Sequence, residues 1–454
     1  MQRGKGTARS SRRAGAGSVA LAVSLALVVC ARDAEASPED IFGYGPRSSA
    51  MGGTGAASAH GFEAAWANPA LLSRMREKKL TLGYGAATFG LYVAPEGAAS
   101  RRVGADAARG LFIGADLPLP LGGFLKDRLG LGLAFYTPSG IIVRGRLLYP
   151  EKAQFLFLPE RAQSLTVRAG LGVDLGYGLR VGGGFAALAE IVGDVIVATD
   201  ATGRVGTRVE DQLVVTYAPT VGASYDLPFL RGGRLGVVFR GTLDARFAVE
   251  IDATKLSSLN IPVFNIAGLA QYDPSQVAVE LAHEGPERTL AMGVTCKLWS
   301  RYRGPIEPTI PCPISNPECG SLFPPSVTFR DVVVVRAGLD EKIRLSSSAT
   351  AHARAGAFFE TSPVPSQLPS SQAFDRGAVA AVPTRWYDAP RIAGTLGLGL
   401  SLSKPLPPID LDAYWQAHAL VPRAFTSDLG GGASERVKVS GHILAMGLLA
   451  GVRF

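Results

Sequence analysis

From about residue 78 the chain is a procession of segments in which large apolar residues alternate with small or polar ones. The last of them, SGHILAMGLLAGVRF, puts Leu444, Met446, Leu448, Ala450, Val452 and Phe454 on one face. Ile443, Ala445, Gly447, Leu449, Gly451 and Arg453 fall on the other. A period of two is the signature of a β-strand. In GTLGLGLSLS, Leu396, Leu398, Leu400 and Leu402 oppose Thr395, Gly397, Gly399 and Ser401. In IDLDAYWQAHA, Ile409, Leu411, Ala413, Trp415 and Ala417 oppose Asp410, Asp412, Tyr414, Gln416 and His418. A soluble sandwich would gather its apolar faces into one core and wet its polar faces. Here the second face is small and glycine-rich, which suits a barrel interior that is filled or threaded.

Fourteen such segments are read, at 78–88, 108–118, 128–146, 153–176, 178–200, 204–226, 232–252, 274–284, 288–303, 326–341, 344–361, 391–404, 408–421 and 436–454. Tight links at 175–178, 226–233, 283–287, 339–342 and 404–408 alternate with longer ones at 253–273, 304–325, 362–390 and 422–435. An even strand count with short turns at one end and long loops at the other is the asymmetry of Gram-negative outer-membrane barrels, both termini lying on the periplasmic side. The pattern therefore predicts an all-β fold, a 14-stranded antiparallel transmembrane β-barrel over 78–454 whose last strand closes on its first. The terminal aromatic fits a signal read by the barrel assembly machinery.

Residues 37–77 do not alternate. They are rich in Gly and Ala and carry the turn signal Asn68-Pro69. A compact piece placed before the first strand is positioned to fold into the lumen as a plug, or hatch, its small residues letting backbone pack against the wall.

The start of the chain reads as an export signal over 1–36. MQRGKGTARSSRRAGAGS carries five basic and no acidic side chains, an apolar run follows from Val19 to Ala31, and Ala34-Glu35-Ala36 supplies small residues for cleavage before Ser37. Arg12-Arg13 is followed by Ala-Gly rather than a hydrophobic pair, and Cys30 by its position after bulky Val29 makes a poor lipoprotein cysteine. Downstream there is no run of about eighteen uncharged apolar residues, yet mean hydropathy is +0.19 with only 19% charged residues. An exported, greasy chain without a spanning helix points to the other structure that satisfies its backbone in lipid. The formal net charge of +8 is half carried by the leader, and no basic run interleaves with aromatics, so nucleic acid is not an expected partner.

Cys312 and Cys319 share a proline-rich loop and could close a short disulfide; Cys296 falls in a strand and reads as an inert thiol. Two thiols with no histidine near them make no zinc site, and neither metal nor cofactor is expected.

Gly45-Pro46-Arg47, then Ala50-Met51-Gly52-Gly53-Thr54-Gly55-Ala56, then Asn68-Pro69-Ala70-Leu71 resembles the hatch of the outer-membrane long-chain fatty-acid transporter (FadL/TodX-type) family, which includes aromatic-hydrocarbon channels. Leu298-Trp299-Ser300-Arg301-Tyr302, Arg354-Ala355-Gly356 with Ser362-Pro363-Val364-Pro365, and Asp388-Ala389-Pro390-Arg391 continue the resemblance in order across the mature chain. The loop between Ser366 and Tyr387 departs by its length, that near Thr199–Gly206 by its shortness, and His60-Gly61-Phe62-Glu63 stands where the hatch more often has acidic residues.

The resemblance implies uptake of hydrophobic compounds such as long-chain fatty acids or aromatic hydrocarbons. An apolar pocket would bind them, the hatch with Asn68, Pro69 and Ala70 would move, and a lateral opening would release them into outer-membrane lipid beneath the lipopolysaccharide. The third strand meets Pro138-Ser139-Gly140, where proline cannot donate a ladder hydrogen bond, and the resemblance assigns the opening to a kink there. Phe62 and Trp66 are read as pocket residues. Among inward-phase cations at Arg168, Arg240, Lys297, Arg301 and Arg336, Lys297 and Arg336 are read as the partners of a carboxylate head, most of the others pairing with lumen acids such as Asp174 or Asp244. The chain is expected to be a monomer. Two other classes remain open: a related barrel that anchors or shuttles exported proteins, and an outer-membrane lipid hydrolase. For the latter His418, near Ser401 and Asp412, is the least implausible base; the other histidines, His60, His283, His352 and His442, lie in no motif with a serine, and no catalytic residue is assigned.

Overall fold

The computed structural model describes residues 41–139, 151–158, 165–199, 205–255, 264–305, 322–323, 326–375 and 378–454. Residues 1–36, read as an export leader, and Gly140, Cys312 and Cys319 lie outside them. Fourteen antiparallel strands close into a barrel. We number them β1 (Lys79–Pro95), β2 (Ala108–Pro118), β3 (Leu129–Pro138), β4 (Thr166–Gly176), β5 (Leu179–Thr199), β6 (Val205–Asp226), β7 (Gly233–Arg240) and β8 (Gln276–Glu284). The second half comprises β9 (Arg288–Lys297), β10 (Val332–Arg344), β11 (Ala349–Glu360), β12 (Arg391–Leu402), β13 (Ile409–Gly430) and β14 (Ala433–Arg453).

Each strand pairs with its sequence neighbour, and β14 returns to β1 in an unbroken register from Lys79↔Arg453 to Pro95↔Val437. The Phe454 amide adds a bond to the Lys78 carbonyl at 3.0 Å. Alternation follows the pleat. Leu444, Met446, Leu448 and Val452 are exposed on the outer wall, as are Leu396, Leu398, Leu411 and Trp415, while Ile443, Leu449, Thr395, Tyr414, Gln416 and His418 are buried inside. A closed barrel with a leucine-rich outside and a filled inside leaves no unpaired edge and no reason for that belt to meet water.

The structure moves several boundaries. Of the segment read as a strand over 153–176, Thr166–Gly176 belongs to the barrel wall and Gln154–Phe155 does not. Phe155, Leu156, Phe157 and Leu158 are all buried, so this stretch cannot alternate. It turns inward instead, with Gln154–Phe155 lying parallel to Trp386–Tyr387. The link expected at 339–342 is strand, because β10 runs to Arg344; the turn falls at 345–348. The loop expected over 422–435 is the tip of the long β13–β14 hairpin. The segment 232–252 breaks after Arg240, where Gly241 donates to the Pro219 carbonyl (2.7 Å). Its continuation, Leu243–Lys255, pairs in parallel with the upper part of β5, and Phe264–Asp273, read as loop, pairs with that continuation. Cys296 is disulfide-bonded rather than a free thiol.

Candidate functional site

The lumen has two storeys. The lower one, at the short-turn end, holds the N-terminal segment: helix α1 (Pro46–Ala50), a 3-10 turn at Gly61–Glu63, helix α2 (Ala64–Ala67) and a second 3-10 turn at Pro69–Arg74. Nearly every residue from Ile41 to Met75 is buried. Glycines on the strands make room for it: a Cβ on Gly236 would stand 1.9 Å from the Ala56 carbonyl oxygen, and one on Gly222 would stand 2.0 Å from Asn68 Oδ1. The glycine-rich inner face read in the sequence is therefore the imprint of the plug.

Wall side chains tie the plug by its backbone. The Glu280 carboxylate on β8 accepts from the amides of Gly55 (2.6 Å), Ala56 (3.0 Å) and Ala57 (3.1 Å) and from the Ser58 hydroxyl (2.6 Å). Successive amides converging on one anion make a nest, and such charge-assisted bonds are the strong ones. Gln416 on β13 donates to the carbonyls of Phe42 (2.6 Å) and Ser49 (2.8 Å), and Thr395 on β12 donates to Ala50 O and accepts from the Gly52 amide. Arg240 donates to the carbonyls of Trp66 (2.8 Å) and Ala67 (3.0 Å) and lies 4.2 Å over the Trp66 ring. Asn68 caps the Ala70 amide and donates to Ala56 O and to Ala223 O on β6. Pro69 and Ala70 lie beside it, fully buried.

Within the plug, Glu63 accepts from the amides of Arg47 (2.9 Å) and Ser48 (3.0 Å), while Arg47 reaches Asp340 on β10 at 2.9 Å. Burial pushes the Glu63 carboxyl up to about 7, against the lowering pull of those amides and of Arg47 and Arg354. A cavity of about 320 Å³ opens beside it, lined by His60, Asp116, His352, Arg354 and Asp412 among others. Burial, with Arg47 and Arg74 adding to it, holds His60 well below the usual imidazole range.

The upper storey is apolar. Phe89, Leu91 and Val93 of β1, Val437, Val439 and Ile443 of β14, and Val332 and Val334 of β10 face inward there. Phe155–Leu158, Trp299, Tyr302, Phe329, Trp386 and Tyr387 pack on them as a lid. Phe157 meets Trp299 edge to face with centroids 3.9 Å apart.

Between the storeys runs a row of polar groups on three adjoining strands. Phe358, Ala393 and His418 pair across β11, β12 and β13, and Glu360, Arg391 and Leu420 form the next row. Lys297, with no exposed surface, contacts Glu360 at 2.6 Å. Arg391 grips the same carboxylate through Nε (2.9 Å) and Nη2. A small cavity of about 30 Å³ opens beside Phe42, lined by Ala87, Phe112, Tyr136, Tyr414 and Ala445. It is about a tenth of the volume of the cavity beside Glu63.

The sequence-read site residues disperse over this frame. Lys297 is in the polar row, tied to Glu360. Arg336 donates to Thr295 (2.6 Å) and lies 6.0 Å from the Phe358 ring. Phe62 and Trp66 belong to the lower storey, pressed between plug and wall. Pro138 is the last residue of β3, paired with Gly110, and Ser139 carries one more bond to the Arg109 carbonyl (2.9 Å), so the ladder with β2 is continuous up to that point. Glu280, Gln416 and Arg391 were missed as functional: a lone Glu or Gln on an inward phase gives no sign of the backbone it will meet.

Fold and lumen together define a plugged 14-stranded barrel of outer-membrane type. The chain is similar in fold to a FadL homologue from Pseudomonas aeruginosa, with 14% identity over 93% of this chain and 99% of that one, at a TM-score of 0.55. It is similar likewise to the toluene transporter TodX of P. putida, with 14% identity over 91% of this chain and 99% of that one, at a TM-score of 0.53. No family model matches the chain, and no curated protein matches it.

Proposed function

We propose that this protein is an outer-membrane channel for the uptake of hydrophobic compounds, long-chain fatty acids or aromatic hydrocarbons among them. The observation that carries the reading is the apolar upper storey: aromatic and aliphatic side chains gathered inside a barrel, directly above a plug held by hydrogen bonds. A water-filled pore would not serve an apolar solute, whose transfer out of water is favourable already. A greasy chamber offers it a place to stop. The fold likeness to a toluene transporter supports the same class.

In this reading the residues 1–36 direct export, 37–77 form the hatch and 78–454 the wall. A ligand enters from the long-loop end, the hatch withdraws, and release follows through the wall beside Pro138, Ser139 and Gly140. Support for that exit is that β3 ends on Pro138, whose ring nitrogen cannot donate a ladder hydrogen bond. Lys297 and Arg336 are the cations offered to an acidic head, with Phe62 and Trp66 on the path the hatch opens. Uptake of labelled laurate or toluene into liposomes carrying the refolded protein tests the reading; rates no higher than in empty liposomes would reject it. Lys297→Ala and Arg336→Ala are expected to weaken laurate binding while the barrel stays heat-resistant on gels.

A further inference from the structure

The polar row between the storeys has two buried polar atoms without a hydrogen-bond partner, Nδ1 of His418 and Nη1 of Arg391. His418 is 2% exposed and Arg391 5%. Their residues are diagonal neighbours on the inner faces of β13 and β12, and both touch one ring: His418 meets Phe358 edge to face at 5.3 Å, and the Arg391 guanidinium lies 5.5 Å from it. A buried polar group left unpaired is costly, so two of them on one apolar ring indicate chemistry that the protein itself does not complete.

What each atom can do follows from its partners. Both hydrogens of Gln416 Nε2 are taken by the Phe42 and Ser49 carbonyls, so the Gln416 oxygen is an acceptor towards His418 Nε2 at 3.0 Å. Nε2 therefore carries the proton, and in the neutral ring Nδ1 is a lone-pair acceptor. Arg391 spends Nε and Nη2 on Glu360, and its Nη1 can only donate. The two unpartnered atoms are thus one acceptor and one donor.

Charge points the same way. Lys297 and Arg391 are both already engaged by the Glu360 carboxylate, so neither is left over for an anionic head. From the donor–acceptor pair we infer that, within the uptake reading on which this rests, the lumen selects hydrophobic molecules bearing a single hydroxyl, a phenol or a long-chain alcohol. The hydroxyl donates to His418 Nδ1 and accepts from Arg391 Nη1, and its apolar body lies along Phe358 towards the upper storey. Phe42 of the plug, whose ring centroid is 5.9 Å from that of His418, covers the site and borders the small cavity, so its withdrawal joins the two.

The test is equilibrium partition of radiolabelled 1-dodecanol, dodecane and dodecanoate onto the full-length protein in nanodiscs, against empty nanodiscs. Dodecanol is expected to bind about tenfold tighter than dodecane, since two hydrogen bonds of ordinary net worth separate them, and at least as tightly as dodecanoate. His418→Phe keeps a ring of similar shape, and Arg391→Lys keeps the charge on Glu360 while removing Nη1. Each is expected to cut the alcohol-over-alkane ratio to near one without reducing dodecane binding. Equal binding of alcohol and alkane to the native protein, or tighter binding of dodecanoate, overturns the inference and leaves the uptake reading standing. Binding of none of the three overturns both. Should the variants fail to fold, the three-ligand comparison on the native protein decides alone.

Discussion

The two storeys of the lumen are filled by different physics. Below, the plug is rich in Gly and Ala and is held by wall side chains that bind its backbone: Glu280 on three amides, Gln416 on two carbonyls, Arg240 on two more. Above, the lid is held by apolar side chains, with Phe157, Trp299, Tyr302 and Phe329 packed ring on ring. Backbone-directed hydrogen bonds fix a position and are lost together once geometry slips. Apolar packing tolerates exchange of one greasy body for another. The lower storey is thus fixed by directional bonds and the upper one by packing.

The largest effect on this contrast is expected from Glu280→Ala. It strands three amides and a hydroxyl inside the barrel, and should weaken plug docking by about 3 kcal/mol or more. Hydrogen exchange at residues 55–58 should rise sharply while the barrel keeps its heat-modifiable gel mobility; protection unchanged at those amides would show that the nest does not hold the plug. Phe157→Ala comes next, at about 3 kcal/mol for a buried aromatic. It should loosen the lid, read as faster exchange around 153–158 and 299–302, and leave protection at 55–58 alone. Loss of protection in both storeys would mean that they are one cooperative unit. Gly236→Ala drives a methyl into the Ala56 carbonyl and should cost about 1–3 kcal/mol of docking, seen as protease access to the plug.

The smallest expected effect is that of pH. Glu63, raised to about 7 when docked, is neutral in the docked plug below that value and ionised above it, whereas a solvated glutamate is ionised throughout. The docked state therefore binds the extra proton, and docking should tighten as pH falls from about 8.5 to 6.5. His60, held neutral by burial and by Arg47 and Arg74, contributes little above pH 7 and opposes the trend below it. Glu63→Gln should flatten the dependence of plug protection on pH over that window; an unchanged slope would place the titrating group elsewhere.

Much of the wall was legible because alternation is local. Leu444, Met446, Leu448, Val452 and Phe454 point outward as the period demands, and the small face of Thr395, Gly397 and Gly399 points inward. Where the period fails, so did the reading. Phe155–Leu158 are four apolar residues in a row, a pattern that fits a buried strand and an inward lid equally well. The long hairpin of β13 and β14 was cut short because Arg423, Ser427 and Glu435 look like loop residues, although backbone pairing does not need apolar side chains.

By itself the sequence determined that this chain is a barrel, which way each strand faces, and that a glycine-rich segment stands before the wall. Each of these is set within a dozen residues by side-chain period and turn chemistry. Only the tertiary structure decided what the inward residues do: that Glu280 receives amides more than 220 positions away, that Lys297 and Arg391 share one acid, and that His418 Nδ1 and Arg391 Nη1 are each left without a hydrogen-bond partner. Hydrogen-bond partners in a lumen are chosen by closure, which brings distant strands and the plug into one small volume. No local pattern carries that information.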